Sequence, residues 1–161
     1  MNVRDLRPDD WPAVRAIYEE GIHSGNATFE TQPPSWEDWD AAHPSPRLVA
    51  ERDGTVVGWA ALSPTSSRCC YRGVGEVSVY VGETARGSGV GRALLDALVE
   101  RSEEAGYWTL SAGIFPENEA SLRLHRSCGF RDLGVYRRLG EMGGIWRDVA
   151  ILERRSEVVG I

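Results

Sequence analysis

The stretch EVSVYVGETARGSGVGRALLDALVERSEEAG, residues 76–106, places a glycine-rich turn between two regular patterns. Before the turn, Val77, Val79 and Val81 alternate with polar residues, which predicts a half-buried strand. After the turn, apolar residues recur from Val90 to Leu98 at helical spacing, which predicts a helix with one apolar stripe facing a sheet. A second strand pattern follows at YWTLSAGIF. Strand, helix and strand in this order require a right-handed crossover between two parallel strands.

The remaining segments surround this central unit with further strands and helices. Asp53–Gly54 is typical of a tight turn between two antiparallel strands, Ser35 and Asp38 resemble a helix capping box, and Gly129 is placed to end a helix. The elements predicted are a strand at 2–6, helices from Pro8 and from Ser35, a hairpin over 47–64, a helix over 117–130, and a final hairpin of GVYRRLG and WRDVAILERR. This order predicts the α/β class: a mixed, mostly antiparallel sheet with a parallel centre and helices on both faces.

Composition limits what such a domain can bind. A chain of 161 residues suits one domain, 1–161. Its net charge of −6 argues against a nucleic-acid partner, which favours a basic surface. No apolar run approaches the length of about 20 residues needed to cross a membrane, and MNVRDLRPDDW lacks the apolar core of a signal peptide. We therefore expect no membrane association and a cytoplasmic location.

Cysteine and histidine give no pattern of a metal or disulfide site. Two of the three cysteines, Cys69 and Cys70, are adjacent, which fits neither a disulfide framework nor the paired spacing of a zinc site. The three histidines are scattered, without an HxH or HxxxH pair. We therefore expect no metal.

The glycine-rich turn favours an anion. A turn of this kind at the start of a helix exposes backbone N–H groups at the positive end of the helix dipole, and glycines allow a phosphate to approach closely. The GK[ST] ending of the P-loop is absent, and Arg92 occupies the place of the third glycine in the dinucleotide-binding pattern GxGxxG. A tight turn without a ligand remains the alternative.

Two motifs resemble signatures of the GCN5-related N-acetyltransferase (GNAT) family. Arg86 to Gly91 matches [QR]xxGx[GA], which binds the pyrophosphate of acetyl-CoA in that family. The segment NEASLRLHRSCGF, residues 118–130, matches NxxAxxLYxxxGF in every spacing. The two motifs lie on the two sides of YWTLSAGIF, as the family requires. The resemblance implies the GNAT acyltransferase fold for the whole chain.

Two positions depart from the general family pattern. Ser121 replaces alanine, and His125 replaces a tyrosine that in much of the family protonates the leaving thiolate of coenzyme A. The histidine makes the chain resemble one branch of the family, the phosphinothricin and methionine sulfoximine N-acetyltransferases. Four further segments resemble the same branch: NATFET, GWAALSP, YRGVGEVSVYV and WRDVAIL. That branch implies a homodimer, with the NATFET loop near its interface.

The resemblance also implies where acetyl-CoA, the cosubstrate, is bound. Its pantetheine arm is expected along a splayed edge of the fourth strand, with a main-chain oxyanion donor near Tyr80 and Val81. The implied contacts are Val79, Tyr80, Val81, Arg86, Gly87, Ser88, Gly89, Val90, Gly91, Arg92, Asn118 and Ser121. For Asn118, a simple helix N-cap is an alternative that can hold at the same time.

Acetyl transfer to an amine needs a base, because an α-amine is mostly protonated at neutral pH. Glu76 matches the glutamate proposed as base in this branch, acting directly or through water. The alternative is an exposed carboxylate paired with an arginine. His125 has a near-neutral intrinsic pKa, so it can be an acid for the thiolate, assist the base, or simply pack beside Asn118.

The branch implies a small amino acid with a tetrahedral polar side group as substrate. Arg72 precedes Glu76 by four residues, and even spacing along one strand places both on one face, although Gly73 and Gly75 can disturb that phase. A guanidinium suits a carboxylate. Tyr71, Phe29 and Glu30 are candidates for the pocket wall, and all four residues are equally compatible with solvated surface.

These features predict an acetyl-CoA-dependent N-acetyltransferase that acts on the α-amine of such a substrate by direct attack on the thioester. One alternative is an N-acetyltransferase for a protein N-terminus or a polyamine, and an acidic pocket rim would favour the polyamine. Another is a non-catalytic acyl-CoA sensor, against which Glu76 and His125 argue because a pure binder needs neither. The six tryptophans are expected in the core or in dimer contacts.

Overall fold

The computed structural model describes residues 1–161 and contains one seven-stranded sheet in the order β1-β2-β3-β4-β5-β7-β6. The strands are β1 (Asn2–Asp5), β2 (Arg47–Arg52), β3 (Thr55–Pro64), β4 (Val74–Val81), β5 (Thr109–Ile114), β6 (Arg131–Met142) and β7 (Ile145–Arg155). The helices are α1 (Trp11–Ser24), α2 (Trp36–Ala42), α3 (Val90–Glu104) and α4 (Glu119–Ser127). None of these helices is both long and apolar enough to span a bilayer.

The centre of the sheet is its one parallel pair, and this pair is short. Strands β4 and β5 pair only from Val74 with Thr109 to Glu76 with Ser111. Beyond that point β4 continues to Val81 along β3, and β5 continues to Ile114 along β7, without pairing to each other. The two central strands therefore open into a wedge, with Glu76 and Ser111 at its apex.

Helices cover both faces of the sheet, as the alternating pattern predicts. On one face, α3 and α4 bury an apolar stripe that includes Leu94, Leu98 and Leu122 against the sheet. On the other face, α1 and α2 pack around Trp39 and Trp59, which are completely buried. Full burial of one leucine contributes about 1.5–3 kcal/mol, so the stripe on α3 firmly fixes the start of that helix beside the wedge.

Several local predictions are confirmed. The hairpin turns at Asp53 and Gly54, both in the left-handed region. Ser35 caps α2 by accepting a hydrogen bond of 3.1 Å from the backbone N–H of Asp38. The strand order at the C-terminal end could not be predicted from local pattern: β7 inserts between β5 and β6, so the chain's last strand becomes the neighbour of its centre.

Candidate active site

Two adjoining cavities open at the wedge between β4 and β5. The larger cavity, about 640 Å³, lies against the glycine turn and the start of α3. The smaller cavity, about 450 Å³, lies at the apex of the wedge. They have one wall in common, here called the shared wall, formed by Ala27, Val79, Tyr80, Asn118 and Ser121. Two ligands, one in each cavity, would meet at this wall.

The glycine turn gives the larger cavity a set of free backbone donors. Gly87 and Gly89 have φ values of +74° and +86°, which side-chain-bearing residues rarely adopt. Gly89 is the N-cap of α3, and no side chain caps this helix, so the N–H groups of its first turn have no protein acceptor from a cap. A Cβ at Gly87 or Gly89 would point into open space. The geometry fits a phosphate group, as predicted for this turn.

Both predicted cations line the larger cavity with part of their hydrogen-bonding capacity unused. Arg86 donates from Nε to the carbonyl oxygen of Val81 at 3.2 Å, and its terminal nitrogens bond no protein group. Arg92 donates from Nε to Asp96 Oδ2 at 2.8 Å, one turn along α3. Both guanidinium groups are thus oriented by the protein and can still bind an anion.

Ser88 is the one predicted cosubstrate contact that does not line the larger cavity. Its hydroxyl donates to the carbonyl oxygen of Ala85 at 2.5 Å and accepts from Arg52 at 3.2 Å. Ser88 therefore ties the glycine turn to the hairpin of β2 and β3.

Asn118 combines two structural roles at the shared wall. Its Oδ1 accepts from the backbone N–H of Ser121 at 3.2 Å, which caps α4. Its Nδ2 donates to the carbonyl oxygen of Asn26 at 3.1 Å, which holds the segment after α1. The N-cap alternative is therefore confirmed.

Glu76 lines the smaller cavity at the apex of the wedge. The side chain keeps access to solvent, yet the surrounding protein desolvates the carboxylate and raises its pKa. No arginine or other side chain pairs with it, so the alternative of a paired surface carboxylate does not describe this residue. A carboxylate with a raised pKa is a stronger base than an ordinary one.

His125 lies in the smaller cavity and is only 4% exposed. Its Nδ1 is 2.7 Å from the carbonyl oxygen of Ser121, which can only accept, so Nδ1 carries the hydrogen. Nε2 is left as an unprotonated nitrogen with no protein partner. Burial lowers the pKa of the imidazole, although the bond to Ser121 opposes this. His125 is therefore neutral at neutral pH, and Nε2 can accept a proton.

The four predicted substrate contacts divide into two pairs. Phe29 and Glu30 line the smaller cavity. Tyr71 and Arg72 do not: Tyr71 is 46% exposed, and the Arg72 guanidinium lies over the Trp108 ring at 5.4 Å. The argument from even strand spacing does not apply to Arg72, because β4 begins only at Val74 and residues 69–71 form a 3₁₀ turn.

The smaller cavity is acidic. Two carboxylates, Glu30 and Glu76, line it, and none of its lining residues is arginine or lysine. Sequence reasoning missed several of its lining residues, among them Tyr18 of α1 and Leu139 of β6, because each reaches the cavity only through the tertiary arrangement. Tyr18 stacks on Tyr80 at 5.0 Å between ring centroids, so α1 packs directly against the shared wall.

Comparison with known proteins identifies the family. The family model described as "Acetyltransferase (GNAT) family" matches residues 3–130. The phosphinothricin N-acetyltransferase of Alcaligenes faecalis is 40% identical over 94% of this chain and 81% of its own length. The L-methionine sulfoximine/L-methionine sulfone acetyltransferase of Pseudomonas aeruginosa is 33% identical over 94% of this chain and 92% of its own. The crystal structure of a phosphinothricin acetyltransferase from Sinorhizobium meliloti in complex with AcCoA superposes with a TM-score of 0.86 at 32% identity, covering 99% and 95% of the two chains.

The comparisons agree with the geometry of the two cavities. An anion site at the start of α3, a wedge between the central strands and a desolvated carboxylate at its apex suit the transfer of an acyl group from a coenzyme A thioester to an amine. The family and the branch predicted from the two motifs are confirmed. The chain belongs to the acetyltransferase (GNAT) family and is an acetyl-CoA-dependent N-acetyltransferase.

Proposed function

We propose that the protein transfers acetyl from acetyl-CoA to the α-amine of a small amino-acid-like substrate of the phosphinothricin, methionine sulfoximine or methionine sulfone type. The observation that carries this proposal is the pair of cavities with one shared wall. The larger cavity holds the donor, with its pyrophosphate on the glycine turn. The smaller cavity holds the amine beside Glu76 and His125, so that the amine attacks the thioester directly.

Glu76 is the base for the incoming ammonium group in this proposal. The amine arrives protonated, and the acidic smaller cavity attracts it. Glu76 takes one proton, directly or through a water, and the amine nitrogen then has a lone pair for attack. The raised pKa of Glu76 brings it closer to that of the amine, which favours the transfer.

His125 handles the second proton in this proposal. When the nitrogen bonds to the acetyl carbon, it must lose another proton, and the free Nε2 is an acceptor on the same cavity. The carbon–sulfur bond then breaks, and His125 returns this proton to the thiolate. The bond from Nδ1 to Ser121 holds one tautomer throughout, so Nε2 is the atom that both accepts and donates.

The main chain of β4 supplies the oxyanion donor in this proposal. Beyond Glu76, the edge of β4 that faces β5 has no strand partner, so backbone N–H groups between Val77 and Val81 are free on that side. A fixed N–H donor directed at developing negative charge lowers the barrier, because it needs no reorganisation during the reaction.

A second candidate substrate is favoured by the charge of the smaller cavity. With Glu30 and Glu76 in its wall and no lysine or arginine, the cavity suits a polyamine, which has no carboxylate to be bound. Only the amino-acid candidate has a carboxylate, so a substrate panel separates the two.

We also propose a homodimer in the cytoplasm. The hairpin of β6 and β7 exposes six large apolar side chains, each about half exposed or more, and an uncovered apolar edge of this kind usually meets a partner. They are Leu133, Val135, Tyr136, Leu139, Ile145 and Trp146. Three free cysteines fit a reducing compartment.

The test is to incubate the protein with acetyl-CoA and a panel of amines, and to follow thiol release and product mass. The panel contains phosphinothricin, methionine sulfoximine, methionine sulfone, an N-terminal peptide and spermidine. Turnover of the first three supports the main proposal, and turnover of spermidine alone supports the second candidate. Absence of turnover with all three amino-acid analogues would reject the main proposal.

A further inference from the structure

The segment at residues 25–30, between α1 and α2, walls both cavities without forming a helix or a strand. Asn26 and Ala27 line the larger cavity, and residues 27–30 line the smaller one. Because no backbone ladder holds such a segment, its position depends on bonds from neighbouring elements.

Arg147 of β7 makes two of these bonds from a distant part of the chain. Its terminal nitrogens donate to the carbonyl oxygen of Gly25 at 3.0 Å, to Asn26 Oδ1 at 2.8 Å and to Glu117 Oε2 at 3.3 Å. The side chain is only 13% exposed. One guanidinium thus joins the segment to the turn between β5 and α4, where Asn118 adds the second bridge to Asn26.

The same guanidinium supports the phenylalanines of the smaller cavity. Its central carbon lies 4.0 Å from the Phe115 ring centroid, a close cation–π contact. Phe115 meets Phe29 edge to face at 4.8 Å. Phe29 in turn packs on Gly140, where a Cβ would lie 2.8 Å from its ring. Arg147 therefore holds the segment at its beginning and, through Phe115, near its end.

Arg147 also balances a charge in the larger cavity. Glu117 lines that cavity, and Arg147 is its ion-pair partner. Without the guanidinium, an unpaired carboxylate would face the site proposed for an anionic donor, and like charges repel.

We propose that Arg147 is a positioning residue that fixes segment 25–30 against the shared wall and so sets the affinity for the amine. The proposal rests on the proposed function for its kinetic consequence, but not for the structural one. It concerns a residue that touches neither reacting group and acts through Phe115, Asn26 and Gly25.

The experiment compares Arg147→Met, which keeps an apolar stem, with Arg147→Lys, which keeps the charge without the planar fork. Arg15→Met is the matched control, because Arg15 is 53% exposed and pairs only with Glu19 on the outside of α1. We expect Arg147→Met to raise the KM for the amine about 10- to 100-fold, with a smaller fall in kcat. Arg147→Lys should fall between Arg147→Met and the unchanged protein, and Arg15→Met should match the unchanged protein.

Hydrogen exchange separates positioning from general stability. In Arg147→Met, amides of residues 25–30 should exchange at least about tenfold faster, while amides of the central strands stay unchanged. Unchanged exchange at 25–30, or equal acceleration throughout the chain, would overturn the proposal. The exchange measurement needs no turnover, so it decides the role of Arg147 even where no amine in the panel reacts.

Discussion

The Nδ1 atom of His125 lies 2.7 Å from the carbonyl oxygen of Ser121, one turn earlier in α4. This single bond assigns the tautomer and leaves Nε2 free at the smaller cavity. Burial lowers the pKa of the imidazole more than this bond raises it, so the ring is buried in its neutral form.

The first prediction follows from that lowered pKa. The unfolded chain binds a proton at its histidines below about pH 6.5, whereas folded His125 resists protonation. The stability that the folded protein gains from keeping His125 neutral is therefore fully present above that pH and is lost as the pH falls. His125→Gln should reduce the fall in Tm between about pH 7.5 and about pH 5.5.

Thermal melts at these two pH values check this prediction. Burial also lowers the pKa of His43, so part of the pH dependence should remain in His125→Gln and disappear only when His43 is replaced as well. An unchanged pH slope in His125→Gln would contradict the assignment of a buried, neutral imidazole.

The second prediction concerns Glu76. Glu76→Gln should lower kcat by about 10²–10⁴-fold, because general base catalysis is lost, while acetyl-CoA affinity stays nearly the same. Steady-state rates and calorimetric titration with acetyl-CoA measure the two quantities. Equal rates at saturating substrate would exclude Glu76 as the base.

Although Glu76→Gln should lower activity, it should not lower the thermal stability of the protein. The pKa of Glu76 is higher in the folded protein than in the unfolded chain. Its favourable contribution to folding stability is therefore present at acidic pH and is lost as the pH rises through the pKa of the folded state. At neutral pH the desolvated carboxylate is a cost, which glutamine removes. The Tm of Glu76→Gln near neutral pH should therefore equal or exceed that of the unchanged protein.

The third prediction tests the glycine turn. Gly89→Ala should raise the KM for acetyl-CoA more than about tenfold, because Gly89 lines the larger cavity and its φ of +86° makes the turn strain when a Cβ is added. Gly54→Ala is the matched control: Gly54 has φ +77° and open space around it, but lies in the hairpin turn between β2 and β3.

Both glycine variants should lose similar stability, about 1–2 kcal/mol from the left-handed backbone. Only Gly89→Ala should lose affinity for acetyl-CoA. An equal rise of KM in both variants would show that strain alone, and not the anion site, is responsible.

The fourth prediction concerns the apolar hairpin of β6 and β7. Trp146 and Tyr136 are 59% and 56% exposed, so charged replacements at these positions should not disturb the core. The double change Tyr136→Glu and Trp146→Glu should convert a dimer into a monomer, as measured by light scattering. Arg137, on the same hairpin, offers a control position at which glutamate should have a weaker effect. A monomeric unchanged protein would contradict the homodimer.

The sequence alone was sufficient to predict those elements whose conformation depends on residues close to one another in the chain. The glycines of the turn, the caps at Ser35 and Asn118 and the hairpin at Gly54 are each fixed within a few residues of the chain. Glu76 and His125 could be selected because the resemblance to the family implies a base at the first position and a proton donor at the second.

Other features depend on contacts between distant segments. Three features arise only when the sheet is assembled: the position of β7 beside β5, the place of Leu139 at the rim of the smaller cavity, and the bridge from Arg147 to Gly25. Arg72 is the clearest example of a wrong prediction from spacing. Even spacing places two side chains on the same face of a sheet only within one continuous strand, and β4 begins two residues after Arg72.

The short pairing of β4 with β5 has a consequence for how the protein holds together. The sheet is two half-sheets, β1–β4 and β5–β7, joined by a three-residue seam and by the core beneath α3 and α4. An acyl donor lying in the wedge would bridge the open edges and act as a removable strand. Because a ligand that binds only the folded protein stabilises it, resistance to unfolding of the two halves would then rise with the concentration of acetyl-CoA.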